Sequence, residues 1–211
     1  MTDTAERPAF LDTEAELRER YNRPTANVLA KDIGRIDSHF RRFIALSPFV
    51  CLGTSGKDGL CDVSPRGGEP GFVHVLDDTT LAMPDRPGNN RLDSLGNIAT
   101  RPGVGMLFMI PGFEDTLRVN GTARISADPA LAEQFCVGEK APLSVLVITV
   151  KEIYLHCPKA IRRARLWDPA AYADRNAFPS AGAIYRDQLS LDRDIAAIDA
   201  VLERDVRERL Y

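Results

Sequence analysis

Asn89, Asn90, Arg91 and Ser94 fall where a loop stiffened by proline and glycine, Pro84–Gly88, gives way to a helical pattern. The first turn of a helix presents backbone N–H groups without intrahelical acceptors, together with the positive end of the helix dipole, so an anion can settle there. Arg91 would add charge-assisted hydrogen bonds, and the asparagine amides and the Ser94 hydroxyl would add neutral donors. That set describes a phosphate cradle. The same residues also read as an ordinary helix start, with Asn89 or Asn90 as the cap and Arg91 in water. A second cluster is Asp62–Gly68, DVSPRGG. Arg66 lies there between Pro65 and Gly67-Gly68, on backbone that cannot continue a central strand, and the glycines let a flat ligand approach the main chain. Alone, this is a turn with an exposed arginine. Beside the first segment it supplies a second basic corner for the same phosphate, and the two together fit a phosphorylated ligand lying in a groove between strands.

Other chemistry is less visible. The histidines are His39, His74 and His156 and the cysteines Cys51, Cys61, Cys136 and Cys157, with no CxxC, HExxH or clustered pattern. No metal site is expected, and the cysteine usage suits a reduced, cytoplasmic compartment. Cys51 and Cys61 are expected as small buried hydrophobes, Met106 and Met109 as core, and His74 as exposed or hydrogen-bonded on a short strand. His156 and Lys159, at a strand end and in the next helical turn, are placed either to face a ligand or to be ordinary surface and interface residues. Trp167 reads as a packing anchor and Arg162–Arg165 as a solvated helix face. No Ser/His/Asp or paired-carboxylate motif stands out.

The elements that must position these groups are short. Helices are expected over Asp12–Tyr21, Asp37–Leu46, Asn90–Thr100, Asp128–Phe135, Pro158–Arg165 and about Leu191–Leu210, from apolar residues at three- and four-residue spacing and from their stop and cap signals. Strands are expected over Phe49–Thr54, Leu60–Pro65, Phe72–Leu76, Thr80–Met83, Gly103–Ile110, Thr116–Ser126 and Ser144–Cys157, with Ser55–Gly59 as a hairpin turn. In Thr116–Ser126, Leu117, Val119, Gly121, Ala123 and Ile125 alternate with Arg118, Asn120, Thr122 and Arg124, the pattern of a sheet with one buried face. The fold class is mainly β with helices (β+α). The expected architecture is a small barrel of six to seven antiparallel strands with peripheral helices, because closing or nearly closing a sheet removes exposed edges.

With 211 residues, 44% of them hydrophobic, the chain suits one globular domain. Its 27 basic and 30 acidic residues leave a net charge of −3, without the basic excess of a nucleic-acid binder. The longest apolar stretches, Val104–Pro111 and Pro142–Val150, fall short of the roughly 20 residues that cross a bilayer, and the opening residues are polar; no membrane span or export signal is expected.

The run DVSPRGG, LAMPDRPGNNRLDSLGNI, RPGVGMLFMIPG, TLRVNGTARIS and YLHCPKAIRRARLW resembles the pyridoxamine 5'-phosphate oxidase-like family of FMN-binding split β-barrels. More narrowly, it is similar to a bacterial branch carrying PDRPGNNR and HCxKAxxRxxLW, over roughly Phe49 to Trp167. The resemblance implies FMN as cofactor. Arg66, with Asn89, Asn90, Arg91 and Ser94, would hold the phosphate. Backbone at Val63, Ser64, Gly67, Met83, Pro84 and Asp85 would line the ring, and Thr116 and Arg118 would complete the site. It further implies a homodimer with FMN at the subunit interface, and an FMN-dependent oxidoreductase moving hydride or electrons between a reduced donor and a small acceptor or oxygen. Thr116 stands where the oxidases proper carry glutamine, and the end of the chain lacks their tryptophan and arginine arrangement, so pyridoxamine phosphate oxidation itself is not implied. The rivals are a non-catalytic flavin or ligand binder acting as sensor or carrier, and a deazaflavin or haem protein, as related split barrels are. Haem would need His74 or His156 as axial ligand. The corresponding layout is a helical segment over 1–47 packed on the barrel, the barrel over 48–167 and a C-terminal extension over 168–211.

Overall fold

The computed structural model describes residues 10–211; the polar stretch 1–9, read above for export signals, lies outside the described residues. Two compact units result, one ending at Asp32 and the other spanning Ile33–Tyr211. In the first, α1 (Glu14–Arg20) starts with a reciprocal cap. Glu16 N donates to Thr13 Oγ1 at 3.3 Å and Thr13 N donates to Glu16 Oε2 at 2.9 Å, so two backbone donors without helical partners are satisfied together. The Thr13 hydroxyl, donating to Glu16 Oε2 at 2.8 Å, and then the backbone N–H groups of Thr13 and Asp12 hold the Glu16 carboxyl below its ordinary pKa. A second helix that the periodicity does not announce, α2 (Ala26–Ala30), follows Thr25, and neither helix buries a residue.

The second unit begins with α3 (Ser38–Leu46), capped by Asp37, whose Oδ1 accepts from Phe40 N at 2.9 Å. Ile36, Phe40 and Ile44 recur at helical spacing and enter the core. The sheet comprises β1 (Phe49–Ser55), β2 (Cys61–Gly67), β3 (His74–Val75), β4 (Thr80–Pro84), β5 (Gly103–Met109), β6 (Thr116–Ser126) and β7 (Val145–His156), ordered β2-β1-β5-β6-β7-β4-β3 and antiparallel throughout. The ladder does not close between β2 and β3, so the barrel is split. This is the expected class, mainly β with peripheral helices. β1 buries every second residue, and Leu52, Leu81, Met83, Phe108, Val119, Leu146 and Ile148 pack the interior. Each such side chain contributes about 1.5–3 kcal/mol by leaving water.

The alternation on β6 holds through Ala123, whereas Ile125 is exposed. Its register breaks at Asn120/Gly121, where Asn120 faces Glu152 but Gly121 faces Val150. At this bulge the strands approach so closely that a Cβ on Gly121 would lie 2.1 Å from the Thr149 carbonyl oxygen, so only glycine fits.

Around the sheet lie α4 (Asp93–Thr100), α5 (Pro129–Glu133), α6 (Lys159–Ala164), α7 (Ala181–Leu189) and α8 (Ile195–Glu208). Two expectations change here. The helix placed over Asn90–Thr100 begins only at Asp93, because Asn90 and Leu92 take left-handed backbone at φ 58° and 60°. The last helix, expected from about Leu191, starts only after Asp194, which caps it by accepting from Ala197 N at 3.1 Å, and it is preceded by α7, a helix not expected, which ends where Ser190 turns left-handed at φ 51°. Cys61 is exposed and Cys51 only half-buried, contrary to the reading of both as core, since β2 is an edge strand whose residues are mostly in contact with solvent. Met106 is core and Met109 half-buried. His74 stacks on Phe135 with ring centres 4.1 Å apart, and burial lowers its pKa. Trp167 donates through Nε1 to the Phe113 carbonyl at 2.7 Å, which anchors the chain after α6. Among the described residues no helix is long and apolar enough to cross a membrane.

Candidate functional site

The end of β2 and the start of α4 meet in one cleft of about 300 Å³, lined by Ser64, Arg66, Asp85, Asn89, Asn90, Arg91 and Ser94 among others. The two basic segments, far apart in sequence, therefore share a cavity within a single chain. Arg66 is fixed by Nε donating to Ser64 Oγ at 3.2 Å and Nη1 donating to Asp85 Oδ1 at 2.7 Å. Both side chains of that ion pair are only about a fifth exposed, 20% and 19%. Asp85 is held in turn, its N–H donating to the Ser144 carbonyl at 3.0 Å. Nε and Nη1 are thus used for orientation, and among the described residues the remaining guanidinium N–H groups have no acceptor, so they can serve an anion.

Ser64 Oγ also lies 3.1 Å from the hydroxyl of the buried Ser94, in the first turn of α4. Neither asparagine caps that helix. Leu92 occupies the cap position and offers no side-chain acceptor, while Asn89 Oδ1 accepts from Arg91 N at 3.1 Å and makes a local turn instead. The donors of the first turn are therefore left without a side-chain acceptor, which is what an anion requires. Arg91 points to Asp93, Nε to Oδ2 at 2.8 Å, and is 72% exposed. It rims the cleft. Asn97, which the sequence reading passes over, ties the helix to the hairpin by donating to Thr54 Oγ1 at 3.1 Å and Asp62 Oδ2 at 2.7 Å. No motif marks it, because its role depends on which strands the helix packs against.

A larger cleft of about 670 Å³ adjoins the first through Ser64, Arg66 and Arg86–Asn89, and is completed by Pro65, Gly67, Phe72, Pro84, Leu210 and Tyr211. Arg86, part of the PDRPGNNR run but given no role from the sequence, lines both clefts. Met83 contributes no side chain, being fully buried. Its backbone edge is nevertheless open, since β3 pairs only with Leu81 and Ala82.

Val63, Thr116, Arg118 and His156 are not part of this cavity. They line an apolar groove of about 510 Å³ on another face of the sheet, with Cys51, Gly53, Gly105, Leu107 and Ile161. Val63 and Ser64 are neighbours on one strand, and adjacent residues of a strand point to opposite faces. Lys159, exposed at the first position of α6, lines neither site. His74 lines neither cleft, and among the described residues no group of three or more His, Cys, Asp or Glu is placed to hold a metal ion.

A family model described as pyridoxamine 5'-phosphate oxidase matches residues 36–157, more than half of the chain. No curated protein matches. Similar solved structures include HupZ of Group A Streptococcus, 18% identical over 57% of this chain and 93% of that one, with a TM-score of 0.48. Another is a protein related to general stress protein 26 from Clostridium acetobutylicum, 16% identical over 57% and 90%, with a TM-score of 0.42. A third is an FMN-binding protein from Syntrophomonas wolfei, 17% identical over 56% and 83%, with a TM-score of 0.42.

Proposed function

The chain belongs to the pyridoxamine 5'-phosphate oxidase family, and from that premise we propose that it is an FMN-binding homodimer that works as an oxidoreductase between a reduced donor and a small acceptor or oxygen. The observation that carries this reading is the shared cleft of Arg66, the Ser64–Ser94 hydroxyl pair and the uncapped start of α4. A phosphate monoester needs charged and neutral donors converging from several directions, and these residues fit it. Bound FMN would supply the hydride and electron chemistry. The chain's own tasks are to anchor, shield and orient. Arg66 and Ser64 would hold phosphate oxygens, with Asp85 keeping the guanidinium aligned. The backbone of Ser64–Gly67 and of Met83–Pro84 would border the ring.

Thr116, Arg118 and His156 support the dimer part of the proposal. They line, with Val63, the sheet face away from the phosphate cleft, so they would complete that site from a second copy. The apolar groove they line, with glycine at positions 53 and 105 in its floor, suits close approach of another sheet.

The test is spectroscopic and then kinetic. Protein titrated with FMN should acquire the bound-flavin band near ~450 nm, and NADH or NADPH should bleach it faster than it bleaches free FMN. Failure to take up FMN removes the whole reading. Uptake without accelerated bleaching would leave a flavin-binding sensor or carrier.

A further inference from the structure

Every residue from Phe10 to Lys31 is exposed, although the stretch carries the large apolar side chains Phe10, Leu11, Leu17, Tyr21, Val28 and Leu29. Exposed apolar residues scattered singly are ordinary. Six in one short stretch, with none covered, are not. Neither helix can stand alone by length, since α1 has seven residues and α2 five, and helices under about 12–15 residues are marginal in water. α1 does have local support, from its reciprocal cap and from Arg18, which pairs with Glu14 one turn away at 3.5 Å. Such signals set where a helix starts, but only a covering surface holds one this short.

The two helices also shape the surface to be covered. Between them lies an open notch of about 570 Å³, lined by Glu14, Ala15, Arg18, Arg23, Pro24 and Leu29. Ala15, Pro24 and Leu29 supply apolar area and the other three supply charge, a mixture that suits a protein partner. The charges of the stretch nearly cancel, Asp12, Glu14, Glu16, Glu19 and Asp32 against Arg18, Arg20, Arg23 and Lys31. Nothing in it therefore selects a polyanion such as nucleic acid or an anionic membrane. Residues 10–32 amount to one side of a standard interface, about 20–30 residues. The same chain holds an apolar complement, because its second unit leaves Leu143, Tyr172, Phe178 and Leu189 exposed. In a symmetric pair each copy offers one arm and receives one, so both sets are covered without a further component. We propose that residues 10–32 are an arm that docks on a second copy of this chain, with the notch around Ala15, Pro24 and Leu29 as its contact surface. The proposal rests on the dimer in the reading above but not on its flavin.

The test is hydrogen exchange of the full chain, read by mass spectrometry over residues 14–30 at a series of protein concentrations, with light scattering on the same samples. Amides of α1 and α2 should exchange about tenfold or more slowly in the dimer than in the diluted monomer. Leu29→Glu should raise the dimer dissociation constant about tenfold or more, the effect of uncovering one leucine, and Leu29→Met should not. Because Leu29 is exposed in the single chain, an unshifted thermal melt of the diluted variant shows that it folds. Protection that does not vary with concentration would place the arm on its own chain and overturn the proposal. So would a dissociation constant unchanged in Leu29→Glu, or unprotected arms in a protein that is dimeric, the last leaving the dimer reading intact. A chain that is monomeric at every concentration would end this proposal and the dimer reading together. Concentration-dependent protection in a protein that takes up no FMN would uphold the arm and end the flavin reading.

Discussion

The cleft beside β2 and the groove on the other face of the same sheet are built on different principles. In the cleft, charges are arranged in advance: Arg66 is clamped by Asp85 and Ser64, and Ser64 meets Ser94. The groove has one guanidinium, Arg118, which stands 5.7 Å from the Tyr154 ring, and the rest of its lining includes glycine, Val63, Met106, Leu107, Ile161 and His156. An anion is recognised by donors held in place before it arrives, because reorganising them on binding would forfeit much of the gain. An association surface needs shape and apolar area instead. The contrast fits the proposal that the two faces are halves of one site completed by a second copy, since Val63 and Ser64 of β2 point to opposite faces.

The strongest way to break this comparison is a charge in the groove. Val63 is 70% exposed, so Val63→Glu should leave folding intact, yet it would bury an unpaired carboxylate between two copies. The expected result is a monomer by light scattering, with FMN binding lost although no residue of the phosphate cleft has changed. A dimeric variant with normal FMN affinity would show that the groove is not the shared surface.

Next in size is the cleft itself. Arg66→Ala should lower FMN affinity about ten- to a hundredfold, through loss of charge-assisted bonds worth about 1.5–3 kcal/mol. The dimer should persist, which light scattering on the same sample checks. Arg91→Ala should cost far less, no more than about fivefold by fluorescence titration, because that side chain is solvated and already committed to Asp93. Equal losses at the two arginines would mean that Arg91 swings inward on binding.

The smallest effect concerns pH. Burial lowers the pKa of His74, which stacks on the Phe135 whose carbonyl orients Arg86. The native state withholds a proton that the unfolded chain accepts below about 6.5. Stability contributed by neutral His74 is therefore present above that pH and declines as the pH falls toward the lowered native value. Thermal melts from pH 7.5 down to 5 should show a decline that His74→Phe flattens.

Much of the fold was legible because its signals are local. Period-two burial on β1 and β6 and the hairpin between β1 and β2 are written in neighbouring residues. The α7 helix and the break at Ser190 were not, since an Ala- and Pro-rich stretch carries little periodicity, and a left-handed serine resembles any other serine. Arg66, Ser64 and Ser94, singled out from two separate segments, line one cleft. The roles of Arg86 and Asn97, both inside the quoted runs, were not legible because their partners, Phe135, Tyr211, Thr54 and Asp62, are distant in sequence.

Residue order alone placed most of the strands and the two basic corners, because patterning and turn chemistry act over a few residues, and its motifs carried the resemblance to the family. Tertiary structure decided which corner holds the better-ordered arginine, that α4 starts without a cap, and that Val63 and Ser64 serve opposite faces. Those outcomes depend on strand register and on contacts between segments remote in sequence, and no local pattern encodes them.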